Sequence, residues 1–231
     1  MSRDALVGLA VAVCAILLPA TPGRTAEGPS QTFSLDTVNG LEPVNGRAEV
    51  APYRGRQAVH LVSLPGHESP RDSILAILLG TDLGDGTIEA EVAGAPRPGA
   101  PPDARGFIGI AFHVQPHGSR YECIYLRPSN GRTDDQLQRN HSTQYVSEPM
   151  YPWFRLREEH PGVYESYVDL EPGAWTRIKI AVNGTKARLY VHGADQPALV
   201  VNDLKLGATR GQVALWAQWS TDSYFSNLTI K

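Results

Sequence analysis

The residues of this sequence that are best suited to chemistry are aromatic and planar polar side chains that can surround a sugar ring. A sugar ring has an apolar face, on which an aromatic ring stacks, and a rim of hydroxyl groups, which amide, guanidinium and imidazole groups bind. We therefore predict a ligand-binding site from side chains of these kinds. The predicted binding residues are His113, Tyr121, Tyr125, Arg127, Asn130, Arg139, His141, Gln144, Tyr145 and Trp216.

Alternation of apolar residues assigns part of this site to one face of a β-sheet, because successive side chains of a strand point to opposite faces. The residues predicted to face the protein interior are Ile108, Ile110, Phe112, Val114, Ile124, Leu126, Val213 and Leu215. His113, Tyr125 and Arg127 then share the opposite face, and Trp216 points there as well. The small residues Gly109 and Ala111 on that face leave room for a ligand.

The polar segment RPSNGRTDDQLQRNHSTQYVSEP, residues 127–149, interrupts two predicted strands. Loops of this length in compact domains are usually functional or disordered. Disordered segments are low in aromatic residues and carry mainly one charge sign. This segment and the residues after it mix both signs with Tyr145, Tyr151 and Trp153. We therefore predict an ordered wall beside the binding site.

The elements that must position these residues are short strands. Alternating apolar runs recur along the chain, and each is bounded by Gly, Pro, Asn or Asp, which is typical of an all-β sandwich. These runs cover residues 57–64, 73–79, 86–94, 106–115, 121–128, 164–170, 175–184, 186–193, 211–219 and 224–231. The sequence NGTK at 183–186 predicts a tight hairpin. One short helix is predicted at 152–160, with Trp153 and Leu156 on the same face.

Three strand motifs resemble the concanavalin A-like lectin/glucanase superfamily. They are WTRIKIAVNGTKARLYV (175–191), GQVALW (211–216) and YFSNLTI (224–230), supported by DGTIEAEV (85–92). Within that superfamily the chain is similar to laminin-G-like and 3-keto-disaccharide hydrolase-type domains. The resemblance implies a single jelly-roll β-sandwich domain of two antiparallel sheets over residues 27–231, with a glycan site on the concave face.

Several functions agree with this resemblance. A glycan-binding module needs no catalytic group, and the Glu-x-Asp-x-x-Glu motif of glucanases on this fold is absent from the sequence. A hydrolase of the 3-keto-disaccharide type would use Asp135 or Glu165 as acid or base. A polysaccharide lyase would combine His113 or His141 with Tyr125, Arg127 and Gln144. A laminin-G-like domain would bind a protein.

The N-terminal segment, the net charge and the cysteine count indicate the protein's localisation and its class of partner. Residues 1–26 carry an early Arg3 and an apolar run, which predicts a signal peptide and a secreted or periplasmic protein. The formal net charge of −3 argues against nucleic acid as a partner, and no membrane contact is expected after cleavage. Cys123 is the only cysteine left after cleavage. No cofactor and no metal site is predicted. A structural calcium ion is left as an alternative, because Asp134 and Asp135 could supply oxygen ligands.

Overall fold

The computed structural model describes residues 30–69 and 71–231 of the chain. The predicted signal peptide, residues 1–26, lies outside these ranges, so the domain boundary at residue 26 stays a prediction. The described residues form two antiparallel sheets and two short helices, α1 (Gln136–Asn140) and α2 (Trp153–Glu159). Within the described ranges, no helix has the length and apolar character needed to cross a membrane.

The first sheet has eight strands. Its strands are β1 (Gln31–Phe33), β3 (Gly46–Tyr53), β4 (Arg56–Ser63), β6 (Gly86–Pro96), β11 (Thr176–Asn183), β12 (Lys186–Val191), β13 (Leu199–Val201) and β15 (Thr221–Ile230). The order across the sheet is β13-β12-β11-β6-β15-β4-β3, and β1 pairs with β15. Asn183 pairs with Lys186 across the β11–β12 turn, where Gly184 has a φ of 56°, so the predicted hairpin is confirmed.

The second sheet has seven strands and carries the candidate site. Its strands are β2 (Leu41–Val44), β5 (Ser73–Leu83), β7 (Ile108–Val114), β8 (Tyr121–Leu126), β9 (Thr143–Glu148), β10 (Glu165–Ser166) and β14 (Gly211–Gln218). Their order is β10-β9-β8-β7-β14-β5-β2. Every described strand pair in both sheets is antiparallel, as predicted for a jelly-roll sandwich.

The hydrophobic core lies between the two sheets. Ile108, Ile110 and Phe112 on β7 belong to it, together with Ile124 and Leu126 on β8. These side chains are almost completely buried, as the alternation of apolar residues predicts. Removing such apolar surface from water stabilises the sandwich by about 25 cal/mol per Å².

Val114 departs from the predicted alternation. It belongs to a second apolar cluster on the outer face of the second sheet, whereas the sequence placed it in the interior. The reason is a bulge at His113, whose φ of 51° lies in the left-handed region, and the β7–β14 register shifts at the same point. An extra residue in one strand reverses the direction of the side chains beyond it.

The polar segment 127–149 is folded. It contains a 3-10 turn (Pro128–Asn130), helix α1 and strand β9. Strand β9 pairs with β8 on one side and with β10 on the other. The prediction of an ordered segment is therefore confirmed, and its second half is an internal strand of the second sheet.

Candidate functional site

One row of residues crosses the outer face of the second sheet, the face that points away from the first sheet. Consecutive ladder partners in this row are Leu75, Trp216, Gly109, Tyr125, Gln144 and Glu165. Gly109 lies between the two aromatic residues, and a Cβ at this position would lie 2.6 Å from the Cβ of Tyr125. Because glycine has no side chain, the rings of Tyr125 and Trp216 meet above it and stack with centroids 4.7 Å apart.

These aromatic residues form the floor of a cleft. Tyr121 lies beside them, and its hydroxyl accepts a 3.3 Å hydrogen bond from Nε1 of Trp216. All three side chains are buried. Burial raises the pKa of Tyr125 to about 12, and burial likewise raises the pKa of Tyr121. Both phenols are therefore neutral and act mainly as supports for the residues above them.

An ionic cluster of Arg127, Glu165 and Arg157 lies at one end of this floor. Arg127 donates to Glu165 at 2.9 Å, and Nε of Arg157 donates to the same carboxylate at 3.0 Å. Arg127 also donates to Oε1 of Gln144 at 2.9 Å and to the hydroxyl of Tyr125 at 3.2 Å. Only 5 % of the Arg127 side chain and 3 % of the Glu165 side chain are exposed.

Glu165 is ionised in this cluster. Burial alone would raise its pKa, but the hydrogen bonds and charges of Arg157 and Arg127 outweigh burial and hold the pKa below its ordinary value. His141 lies next to it, with Nε2 3.6 Å from Oε2 of Glu165. Burial and the two guanidinium groups lower the pKa of His141 despite this carboxylate. The imidazole is therefore neutral at pH 7.

The cleft has two halves, which share Phe107, Trp153 and Gln218. The polar half is a cavity of about 280 Å³. Its other lining residues are Pro101, Asp103, Ala104, Arg105, Arg127, Asn130, Gln138, His141, Arg157, Trp219 and Ser220. The apolar half is a cavity of about 350 Å³. Its other lining residues are Arg71, Ser73, Tyr125, Val146, Glu148, Pro149, Pro152, Phe154 and Trp216.

Helix α2 brings exposed aromatic rings to the cleft. Trp153 is 41 % exposed and Phe154 is 39 % exposed, and their rings meet edge to face. The guanidinium of Arg157 lies 4.8 Å from the ring centroid of Trp153, one helical turn away. Leu156 is the fully buried residue that anchors this helix. The predicted helix is present, but Trp153 is much less buried than Leu156, so Trp153 remains available to a ligand.

The polar half holds two buried polar atoms that make no hydrogen bond within the described part of the chain. They are Oδ1 of Asn130 and Nε1 of Trp219. The amide nitrogen of Asn130 is satisfied, because it donates to the carbonyl oxygen of His141 at 3.0 Å.

Several predicted binding residues come together on this face. Tyr125 and Trp216 form the floor, Tyr121 packs beside them, and Gln144 accepts a hydrogen bond from Arg127. Arg127, Asn130 and His141 line the polar half. Most of the predicted binding residues therefore lie at the floor or at the polar end of the cleft. Most of the exposed surface comes from other side chains.

Three predicted binding residues lie elsewhere. His113 sits at the bulge of β7, completely buried, with Nε2 3.0 Å from the carbonyl oxygen of Gly84. Tyr145 points into the core between the sheets, where its hydroxyl donates to Glu122 at 2.6 Å. Arg139 donates to the hydroxyl of Tyr167 at 2.7 Å and does not line the cleft. Alternation along β9 explains Tyr145, because Gln144 and Val146 take the outer face.

The candidate catalytic residues have structural partners. The carboxylate of Asp135 caps helix α1 by accepting hydrogen bonds from the backbone N–H groups of Leu137 and Gln138, at 2.8 and 3.1 Å. Glu165 is held between two guanidinium groups. Across residues 30–69 and 71–231, no three His, Cys, Asp or Glu side chains are grouped so that they could hold a metal ion.

Sequence reasoning missed several lining residues that a signal in the sequence could have found. Phe107 is two residues before Gly109, so alternation places both on the outer face. There Phe107 packs against the floor of the cleft. Arg157 follows Trp153 by four residues in the predicted helix, so helical spacing places Arg157 beside it. Arg105 lies in a loop and carries no periodic signal, since a loop has no fixed side-chain direction.

Comparison with known proteins identifies the fold. No family model matches the chain, and no curated protein matches its sequence. Solved structures do match. The carbohydrate-binding module CBM66 from Bacillus subtilis matches with a TM-score of 0.56 and 12% identity, over 83% of this chain and 96% of that one. A Bacillus subtilis protein of unknown function with a galectin-like fold gives 0.57 and 11%, over 88% and 96%.

A third structure, the exoplasmic/lumenal domain of VIP36 in its Ca²⁺/Man-bound form, matches with a TM-score of 0.51 and 8% identity, over 87% of this chain and 88% of that one. These identities are low, and the likeness is one of architecture. The chain has the concanavalin A-like jelly-roll β-sandwich fold that its strand motifs predict.

Proposed function

We propose that the cleft on the second sheet binds a carbohydrate. The observation that carries this proposal is the meeting of exposed aromatic rings with planar hydrogen-bonding groups in one cleft: Trp153 and Phe154 beside Arg157 and Gln218. Aromatic faces stack on the apolar face of a sugar, while guanidinium and amide groups bind its hydroxyls. The mannose-bound VIP36 domain and the CBM66 module support the proposal by analogy of fold.

The state of Glu165 and Asp135, the two carboxylates predicted as catalytic candidates, favours binding over hydrolysis by these residues. A hydrolase of this kind needs one carboxyl group that releases a proton and one that attacks or activates water. Glu165 is held ionised by Arg127 and Arg157, and both its oxygens accept hydrogen bonds. Asp135 is occupied as a helix cap. Both groups are thus committed to structural interactions.

A glycan array followed by calorimetric titration tests the proposal. We expect saturable binding of at least one oligosaccharide. Trp153→Ala should weaken it by about ten-fold, or about 1.4 kcal/mol, because one stacking surface is lost. The matched control is Tyr167→Ala, since Tyr167 is an equally exposed aromatic residue at 43 % and does not line the cleft. Equal losses in both variants, or none in Trp153→Ala, would refute the assignment of the cleft.

A further inference from the structure

Glu148 is the carboxylate that lines the apolar half of the cleft. It is the last residue of β9, pairs with Tyr121 in the ladder, and lines the apolar half. Its side chain is half-buried, and within the described residues its carboxyl group has no hydrogen bond and no ion pair. Four of the other residues that line this half are aromatic: Tyr125, Trp153, Phe154 and Trp216.

A half-buried carboxylate without a partner is unfavourable, because it loses hydration without gaining a hydrogen bond or an ion pair. Burial accordingly raises the pKa of Glu148 above its ordinary value, and no neighbouring charge contributes to this shift. Arg71 lines the same half, but this side chain is exposed and lies against Phe154, with its guanidinium carbon 5.3 Å from the ring centroid. Among residues 30–69 and 71–231, Glu148 therefore has no counter-ion within ion-pair distance.

The chemistry of this half is complementary to a cation. A positive group gains an ion pair from a carboxylate and is also attracted to the faces of nearby aromatic rings. Glu165 at the other end of the cleft differs, because Arg127 and Arg157 already neutralise it. Within the apolar half, the favourable place for a positive group is thus Glu148.

We propose that the apolar half of the cleft binds the ammonium group of an amino sugar, with Glu148 as its ion-pair partner and Trp153 and Phe154 as the aromatic surfaces around it. The inference rests on the proposed glycan-binding function and adds the class of sugar. The preferred ligand is an oligosaccharide of 2-amino-2-deoxyhexose units with free amino groups. Its N-acetylated counterpart has the same rings but no positive charge.

Titration with glucosamine oligomers and N-acetylglucosamine oligomers of equal length tests this proposal near neutral pH, because the raised pKa of Glu148 rules out an acidic buffer. We expect the free-amine oligomer to bind roughly ten-fold or more tightly, the size of a charge-assisted hydrogen bond. Equal binding of the two oligomers, or preference for the N-acetylated one, would overturn the inference while leaving glycan binding intact. Failure of every oligosaccharide on the array would instead remove the proposed function itself.

The variant Glu148→Gln keeps the shape of the side chain and removes its charge. We expect it to abolish the preference for the free amine while it retains binding of neutral oligomers. Its unfolding temperature should be unchanged or higher, because an unpaired carboxylate is no longer buried. Glu159→Gln is the matched control, since Glu159 pairs with Arg155 on the exposed side of α2. An unchanged preference in Glu148→Gln, or tighter binding of a lysine-rich peptide than of the amino sugar, would contradict the proposal.

Discussion

At the scale of single residues, Glu165 is the group on which the polar end of the cleft depends. It holds Arg127 and Arg157 in place, and its side chain is only 3 % exposed. Removing one partner from a buried ion pair leaves the other charge uncompensated, which costs about 3 kcal/mol or more. We therefore expect Glu165→Gln to lower the free energy of unfolding by about 3 kcal/mol in denaturant titrations.

The control for this variant is Glu159→Gln, which removes an exposed carboxylate paired with Arg155. Exposed pairs contribute little, so its effect should stay within about 0.5 kcal/mol. A loss of equal size in the two variants would show that the Arg127–Glu165–Arg157 cluster does not stabilise the fold.

The same residue gives the protein a dependence on pH. The pKa of Glu165 in the folded protein lies below its ordinary value of 4.5, so ionisation favours the folded state. The resulting stability is fully present above about pH 4.5 and is lost as the pH falls through the folded-state pKa. The difference in Tm between the wild type and Glu165→Gln should therefore shrink on acidification from about pH 6 to about pH 3. A constant difference would contradict this role.

At the scale of elements, the cleft depends on close approach of strands β7 and β8 at Gly109. A Cβ at Gly109 would lie 2.6 Å from the Cβ of Tyr125 and would also meet the carbonyl oxygen of Ile124. We expect Gly109→Ala to reduce the free energy of unfolding by about 1–3 kcal/mol, as overpacking does, and to alter the near-UV circular dichroism of the Tyr125–Trp216 stack.

Gly84→Ala is the comparison for this strand variant. The atoms nearest to a Cβ at Gly84 belong to the flexible side chain of Arg210, which can move aside. Its effect on stability should be small, and its aromatic spectrum should match that of the wild type. An intact spectrum and full stability in Gly109→Ala would mean that Gly109 does not set the position of the stacked rings.

Much of the element structure could be predicted from the sequence, because regular alternation reports which face is buried. Strands β7, β8, β11, β12 and β14 lie where their alternating runs predict them. Strand β3, GRAEVAPY, was missed because it lies at the edge of the sheet, contains Pro52 and buries no residue completely. The site was predicted in part, since the bulge at His113 and the loop that carries Arg105 leave no periodic signal.

At the scale of the whole molecule, the two sheets have different roles. The first sheet covers the core, while the second sheet carries the cleft on its outer face. We propose that the mature protein acts outside the cytoplasm, because residues 1–26 have the pattern of a signal peptide. Mass spectrometry of the protein purified from its native compartment should find a new N-terminus near residue 26. An intact N-terminus on a cytoplasmic protein would contradict this localisation.

The central claim is that a carbohydrate binds in the cleft of the second sheet. Its most direct test is a crystal structure of the protein with the oligosaccharide that binds best on the array. We predict a sugar ring between Phe107 and Trp153, with hydroxyl groups bound by Arg157 and Gln218. A sugar bound on the outer face of the first sheet, for example at the stacked rings of Tyr53 and Tyr224, with an empty cleft, would contradict the claim.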